Sequence, residues 1–394
     1  MKYIVVLCDG MADYPIKELG GKTPLQAAET PVMDSLARHC LAGLADTSAD
    51  GLKPGSDVAN LAVLGYDVKE CYTGRSPIEA VSMGIELGAK DISFRCNLVT
   101  LSGNSDDLDS KTMLSYCAGD ISTPDAAILI NYLQEKLGGE FAFYPGISYR
   151  HLTVWNTGTL DKDISLTPPH DIIDKCVKEY LPQNEKILKL MTQAHNLLSR
   201  HPLNANRQYP ANSVWLWGEG TKPSMQSFKS RYGLNASMIS AVDLLKGIGI
   251  LLGMEVVQTP GATGYIDTNY EGKAKAAIEE LERGQDFVYI HIEAPDECGH
   301  RGEIFNKRDA LSAIDRRVLK PILDALEGED FRILITADHA TPLSLKTHTA
   351  DPVPFIIYDS TKKELTGIPE FNEFICKGTG IFLKKGLTNI LING

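Results

Sequence analysis

Three stretches of this chain are apolar almost without interruption: YIVVLC (3–8), DFVYIHIEA (286–294) and FRILITADH (331–339). A half-exposed strand would alternate apolar and polar positions. Continuous apolar runs of this length fit strands covered on both faces. Between them lie stretches with helical spacing. In GKAKAAIEELER (272–283), Ala274, Ala277, Ile278 and Leu281 share a face, and KRDALSAIDRRVLKPILDALE (307–327) reads as a long amphipathic helix. TPLQAAETPVMDSLARHC (23–40) is also helical in pattern, with Thr30-Pro31 as a cap followed by a first-turn proline. LKPGSDVANLAVLGYD (52–67) reads as loop, helix and glycine stop, and NASMISAVDLLKGIGILLGM (235–254) as a helix. Buried strands alternating with helices predict an α/β fold whose mostly parallel sheet is covered by helices on both faces.

The texture changes in the middle of the chain. SGNSDDLDSK (102–111) is polar and loop-like, AAILINYLQEKL (126–137) and KILKLMTQAHNLLSRH (186–201) are helical, and FAFYPGISYRHLTVW (141–155) is strand-like. The expected organisation is a core of 1–80 and 206–394 with an inserted α+β module of 81–205, NSVWLWGEG (212–220) returning the chain to the core. A length of 394 residues suits such a two-part chain.

Composition narrows the function classes. The net charge of −12 argues against a nucleic-acid binder, which needs clustered Lys and Arg, but leaves room for a small anion in a locally basic pocket. No stretch is long and apolar enough to cross a membrane, so no membrane partner is expected. The eight cysteines (Cys8, Cys40, Cys71, Cys96, Cys117, Cys176, Cys298 and Cys376) show no CxxC spacing and fit a reducing, cytoplasmic setting.

Each of the three apolar strands ends in the same kind of chemistry. The first runs into Asp9; the second into Asp296 and His300; the third into Asp338 and His339, with His348 nine residues on. In a parallel sheet these ends share the edge where ligands bind. Mixed Asp/His sets suit Zn²⁺ or Mn²⁺. Six ligands exceed what one tetrahedral ion takes, and two ions about 3.5–4 Å apart can clamp a phosphoryl group. Ser56, after Pro54-Gly55 at a helix start, is a candidate nucleophile, because helix amides and dipole favour an anion there and a bound metal would lower its pKa. Taken singly, each has a plainer reading: Ser56 as an N-cap, Asp9-Gly10 as a turn, Asp338-His339 as a cap, Asp296/His300 as an i, i+4 surface pair.

CDGMAD (8–13), PGSDVANLAVLGYD (54–67), EAPDECGH (293–300), TADHATP (336–342) and HTADPVPF (348–355) together resemble the archaeal-type cofactor-independent phosphoglycerate mutases, of the alkaline phosphatase superfamily. SPIEAVSMGIEL (76–87), YPGISYRHL (144–152) and PPHD (168–171) extend the likeness through the middle region. The resemblance implies two divalent ions, manganese or zinc, no bisphosphoglycerate, and a phosphoserine on Ser56 during exchange of 3-phosphoglycerate with 2-phosphoglycerate. It implies one metal site of Asp9, Ser56, Asp338 and His339, and another of Asp296, His300 and His348. The middle module becomes a cap that binds the rest of the small phosphorylated substrate. Arg75, Arg95, Arg150, His151, His170 and Asp171 are its candidate grips, Arg being suited to bidentate oxyanion contacts. His39, His195, His201 and His291 read as structural or surface histidines, and Lys346 as an exposed lysine or a phosphate contact. Bacterial proteins of this type include proposed homoserine kinases on the same scaffold, a second reading, although neither a GxxxxGK[ST] nor a GxGxxG loop is present. A plain metal-dependent phosphatase is a third.

Overall fold

The computed structural model describes residues 1–48, 51–103, 107–158, 164–362, 366–384 and 386–394; part of the polar segment 102–111 thus lies outside the described residues. In chain order the strands are β1 (Lys2–Cys8), β2 (Cys40–Ala45), β3 (Ile92–Leu101), β4 (Met113–Ser115), β5 (Phe141–Tyr144), β6 (Arg150–Trp155), β7 (Ser213–Thr221), β8 (Ala236–Ile239), β9 (Glu255–Val257), β10 (Phe287–Ile292), β11 (Phe331–Thr336), β12 (Val353–Asp359) and β13 (Phe382–Leu383). The chain forms two compact units, Met1–Tyr72 with Met225–Gly394, and Thr73–Ser224.

The first unit is built on an eight-stranded sheet ordered β13-β2-β12-β11-β1-β10-β8-β9. β11, β1, β10, β8 and β9 run parallel, and β12 is antiparallel to both its neighbours. Ile4, Val5, Val6 and Leu7 are 0% exposed, which explains the unbroken apolar run. Burying each such side chain contributes about 1.5–3 kcal/mol. The three strands singled out by pattern are central neighbours, so Asp9, Glu293 and Asp338 emerge together at their C-terminal edge.

Several local expectations change. The segment 235–254 is strand β8 followed by the helix Asp243–Leu251, because Ala236–Ile239 pairs with β10 and is buried on both faces. Pro31 does open a helix, Pro31–Ala37, but the Thr30 side chain makes no cap bond. The Asp315 carboxylate accepts the Val32 and Met33 amides instead, at 3.1 and 2.7 Å. The long C-terminal helix spans 304–325 with a π-helical turn at Asp315–Leu319, just before Pro321, whose missing amide breaks the regular ladder.

The second unit carries the strands β4-β3-β6-β5 with β7 also paired to β3. The helices Thr123–Leu137 and Glu185–Leu198 bury Ala126, Leu129, Ile130 and Leu133, and Ile187, Leu190, Met191, Ala194 and Leu198, at helical spacing. Its limits differ from the expected 81–205. β7 pairs along β3 from Val99↔Ser213 to Ile92↔Thr221, so NSVWLWGEG belongs to this unit and not to the core. The helix Ser76–Ser82 is fastened to β3 as well, Ser76 Oγ donating to the Ser93 carbonyl at 2.8 Å. Antiparallel pairing across more than a hundred residues leaves no mark on local pattern.

Candidate active site

Asp9 follows β1 directly and is buried. The chain then turns at Gly10 with φ +61°, where a Cβ would lie 2.7 Å from the Asp296 Oδ1 and 2.6 Å from the Thr341 Oγ1. Glycine is required there on both counts. Asp9 Oδ2 accepts from His291 Nε2 at 2.8 Å, while its Oδ1 is buried with no hydrogen-bond partner among the described residues. Burial, then the charges of Asp338, Asp296 and Glu293, push the Asp9 carboxyl well above its usual range.

Asp338, just past β11, accepts from the His339 and Gly10 amides on Oδ1 and from Asn60 Nδ2 on Oδ2, at 2.9, 3.3 and 2.9 Å. Thr341 Oγ1 donates to Asp296 Oδ1, so the same oxygen accepts from His339 Nδ1 at 3.2 Å. That fixes the tautomer and leaves the His339 Nε2 lone pair 3.5 Å from Asp9 Oδ1, 3.4 Å from Asp338 Oδ2 and 3.1 Å from Ser56 Oγ. Burial holds the ring's pKa below its ordinary value.

Ser56 is the first residue of the helix Ser56–Val63, whose N-cap is Gly55. Its hydroxyl is therefore not the cap of the plainer reading; it faces His339. One turn on, Asn60 Nδ2 bonds both the Ser56 carbonyl and Asp338, while Tyr289 Oη donates to Asn60 Oδ1 at 2.7 Å. The serine helix is thereby tied to the sheet.

Asp296 and His300 lie on the helix Ala294–Arg301 after β10. His300 Nε2 is 3.3 Å from Asp296 Oδ2 and 2.9 Å from His348 Nε2, and His348 Nε2 is 3.4 Å from Asp296 Oδ1. His300 Nδ1 donates to the Lys346 carbonyl, so Lys346 acts here through its backbone. Burial opposes protonation of His300, but the Asp296 carboxylate outweighs it and raises the pKa to about 9. His348 stacks on His339 with ring centroids 3.8 Å apart, bringing the two groups side by side.

Three overlapping sets offer ligand atoms within 4.8 Å of one another: Asp9/Asp338/His339, Asp296/His300/His348 and Asp9/Glu293/Asp296. The raised pKa of the buried Asp9 carboxyl, its orphaned Oδ1 and a histidine made basic by Asp296 all report negative charge awaiting a cation. The donor set therefore fits divalent metal.

Residues missed from the sequence surround these. His291 is fully buried, its Nε2 on Asp9 and its Nδ1 3.1 Å from Ser240 Oγ; burial lowers its pKa to about 3 and keeps it neutral. Lys273, also fully buried, donates to the His291 carbonyl at 2.7 Å. Tyr289 and His291 stand two apart in the otherwise apolar β10, which places them on one face; that spacing was the available signal.

In the second unit, Arg75 Nε and Arg95 Nε each meet one oxygen of Glu79 at 2.9 Å, and Arg95 lies over Trp217 at 4.2 Å. His170 packs edge-on to Trp217 and pairs with Asp171 at 3.6 Å. Arg150 covers the Tyr149 ring at 4.6 Å. His151 is buried: its Nδ1 accepts the Gly146 amide at 3.0 Å, bracing the β5–β6 turn, and its Nε2 has no hydrogen-bond partner among the described residues. His195 is buried against the Asn212 carbonyl and His201 packs on Tyr132.

A family model described as 2,3-bisphosphoglycerate-independent phosphoglycerate mutase matches residues 37–204. A probable enzyme of that name from Geobacter sulfurreducens is 49% identical, covering 98% of each chain. The chain belongs to the 2,3-bisphosphoglycerate-independent phosphoglycerate mutase family. A second member, from Methanosarcina barkeri, is 48% identical over 100% of this chain and 99% of its own. Among solved structures, the PH0037 protein from Pyrococcus horikoshii superposes with a TM-score of 0.81 at 29% identity, covering 100% of this chain and 96% of that one. A cofactor-independent phosphoglycerate mutase from Thermoplasma acidophilum gives 0.67 at 26% identity, with 100% and 99% covered. The phosphoglycerate mutase likeness thus spans both units.

Proposed function

We infer that the chain interconverts 3-phosphoglycerate and 2-phosphoglycerate through a phosphoserine on Ser56, without bisphosphoglycerate. The observation that carries this reading is the hydroxyl of Ser56, held at a helix N-terminus 3.1 Å from His339 Nε2 beside two convergent Asp/His clusters. Asp9, Ser56, Asp338 and His339 would hold one divalent ion and Asp296, His300 and His348 another, with Mn²⁺ or Zn²⁺ suited to the mixed donors. When bound, such ions supply Lewis-acid charge at the phosphoryl oxygens.

The chain's own residues do the rest. Ser56 Oγ attacks phosphorus, forming the Oγ–P bond as the O3–P bond breaks, and the proton lost by the serine passes to O3. The O2 hydroxyl of the retained glycerate then attacks the phosphoserine and regenerates Ser56. Overall one phosphoryl group passes from O3 to O2 and one proton from O2 to O3. Helix dipole and first-turn amides stabilise the phosphorylated serine.

The arginines of the second unit are assigned to the substrate's anionic groups. Homoserine carries an ammonium as well, and Glu79, the carboxylate inside the arginine cluster, is already shared by two guanidiniums. A cytoplasmic setting belongs to the same proposal: all eight cysteines are unpaired thiols, and no described helix is long and apolar enough to cross a membrane.

The direct test is to quench the protein during turnover with ³²P-labelled 3-phosphoglycerate and map the label. Label on Ser56 is expected; label on a histidine, or none in an active sample, overturns the phosphoserine route. A second prediction concerns the support beneath Asp9. Replacing His291 by Ala is expected to weaken Mn²⁺ binding by about 10- to 100-fold, as loss of a partner that orients a ligand commonly does. Calorimetric titration checks this, and unchanged affinity would reduce His291 to core filling.

A further inference from the structure

Glu79 occupies an unusual position for a lone carboxylate. It sits on the helix Ser76–Ser82, and its two oxygens each take the inner nitrogen, Nε, of a different arginine, Arg75 and Arg95, at 2.9 Å. Burial works to raise its pKa, but Arg95, Arg75 and Arg150 together outweigh burial and hold the carboxyl below the usual range. Three guanidiniums thus act on one carboxylate.

Arg95 is 8% exposed, and its terminal nitrogens make no protein hydrogen bond among the described residues. The Arg150 side chain has the Tyr149 ring beneath it and no ion pair among the described residues. Pairing between β3 and β7 also slips between Ser93 and Arg95, an irregularity that re-aims side chains. A partly desolvated cluster of like charges is costly unless an anion completes it. Fixing the guanidiniums beforehand removes most of the ordering cost of capturing that anion.

We propose that Glu79 is a positioning residue for substrate recognition: it holds Arg75 and Arg95 by their inner nitrogens so that the Arg95 outer edge, with Arg150, meets an oxyanion of phosphoglycerate. This rests on the reading in which the arginine cluster takes the substrate. Gln in place of Glu79 keeps one acceptor but turns an amide donor toward the other guanidinium, so one arginine loses its anchor. Asp keeps the charge but shortens the reach.

The experiment is steady-state kinetics with 3-phosphoglycerate on Glu79→Gln, Glu79→Asp and Arg95→Ala, with thermal unfolding of each. For Glu79→Gln the KM is expected to rise about tenfold or more, the worth of one charge-assisted hydrogen bond, with kcat within about threefold. Glu79→Asp should fall between this and the parent, and Arg95→Ala should raise KM at least as far. A higher KM for Arg95→Ala with an unchanged KM in both Glu79 variants overturns the positioning role. A lowered melting temperature with unchanged KM makes Glu79 merely structural and overturns it equally. An unchanged KM in all three removes the arginine cluster from substrate binding, and this proposal with it. Should Glu79→Gln fail to fold, Glu79→Asp decides by the same criterion.

Discussion

Ser56→Ala is expected to lower phosphoglycerate interconversion by on the order of 10⁴-fold or more, the scale seen when a covalent nucleophile is removed. Asp338 and His339 would remain to hold a divalent ion, but nothing at the helix start would accept the phosphoryl group covalently. The fold should survive. Gly55, not Ser56, occupies the N-cap, and no backbone amide among the described residues takes the Ser56 hydroxyl as its cap. The melting temperature should therefore stay close to that of the parent, which separates a chemical defect from a structural one. Assay by coupled detection of 2-phosphoglycerate, together with thermal unfolding, checks both halves. A well-folded Ser56→Ala protein that retains more than about a tenth of the parent rate would exclude the serine as the phosphoryl carrier.

Stripping divalent metal is the second large effect. Asp9, Asp296 and Asp338 are all buried, and the rise in the Asp9 pKa reflects burial together with the charges of its neighbours. Without a cation these carboxylates repel one another in a medium that screens poorly. Exhaustive chelation is expected to reduce turnover at least about a hundredfold and to lower the melting temperature. Re-adding Mn²⁺ at about 100 times its dissociation constant should return about 2.7 kcal/mol of stability by mass action, provided that the unfolded chain does not bind it. Activity and melting temperature should recover along one titration curve. Full turnover in metal-free protein would contradict the assignment of both clusters.

Much of the candidate site is legible in the sequence because its residues lie where sequence pattern is strongest. The continuous apolar runs mark β1, β10 and β11, and the parallel-sheet rule alone gathers Asp9, Asp296, His300, Asp338, His339 and His348 at one edge, where the structure brings them together. Parts that depend on long-range pairing were not legible. β7 is as apolar as a core strand, and only its register along β3 assigns it to the second unit. β8 merges with the following helix in sequence pattern because four buried residues beside a helical run carry no period of their own. The support around the site was hidden for a related reason. His291 and Lys273 look like an ordinary strand histidine and helix lysine until the fold buries both beneath Asp9.

The decisive measurement is phosphorus NMR of the purified protein with Mn²⁺ and 3-phosphoglycerate, with neither ATP nor bisphosphoglycerate present. Appearance of the 2-phosphoglycerate resonance at a turnover of about 1 s⁻¹ or more is expected, with little free phosphate. Release of free phosphate alone would make the protein a phosphatase toward this substrate. An unchanged 3-phosphoglycerate signal from metal-loaded protein would contradict the mutase reading outright, and homoserine with ATP would be the pair to try next.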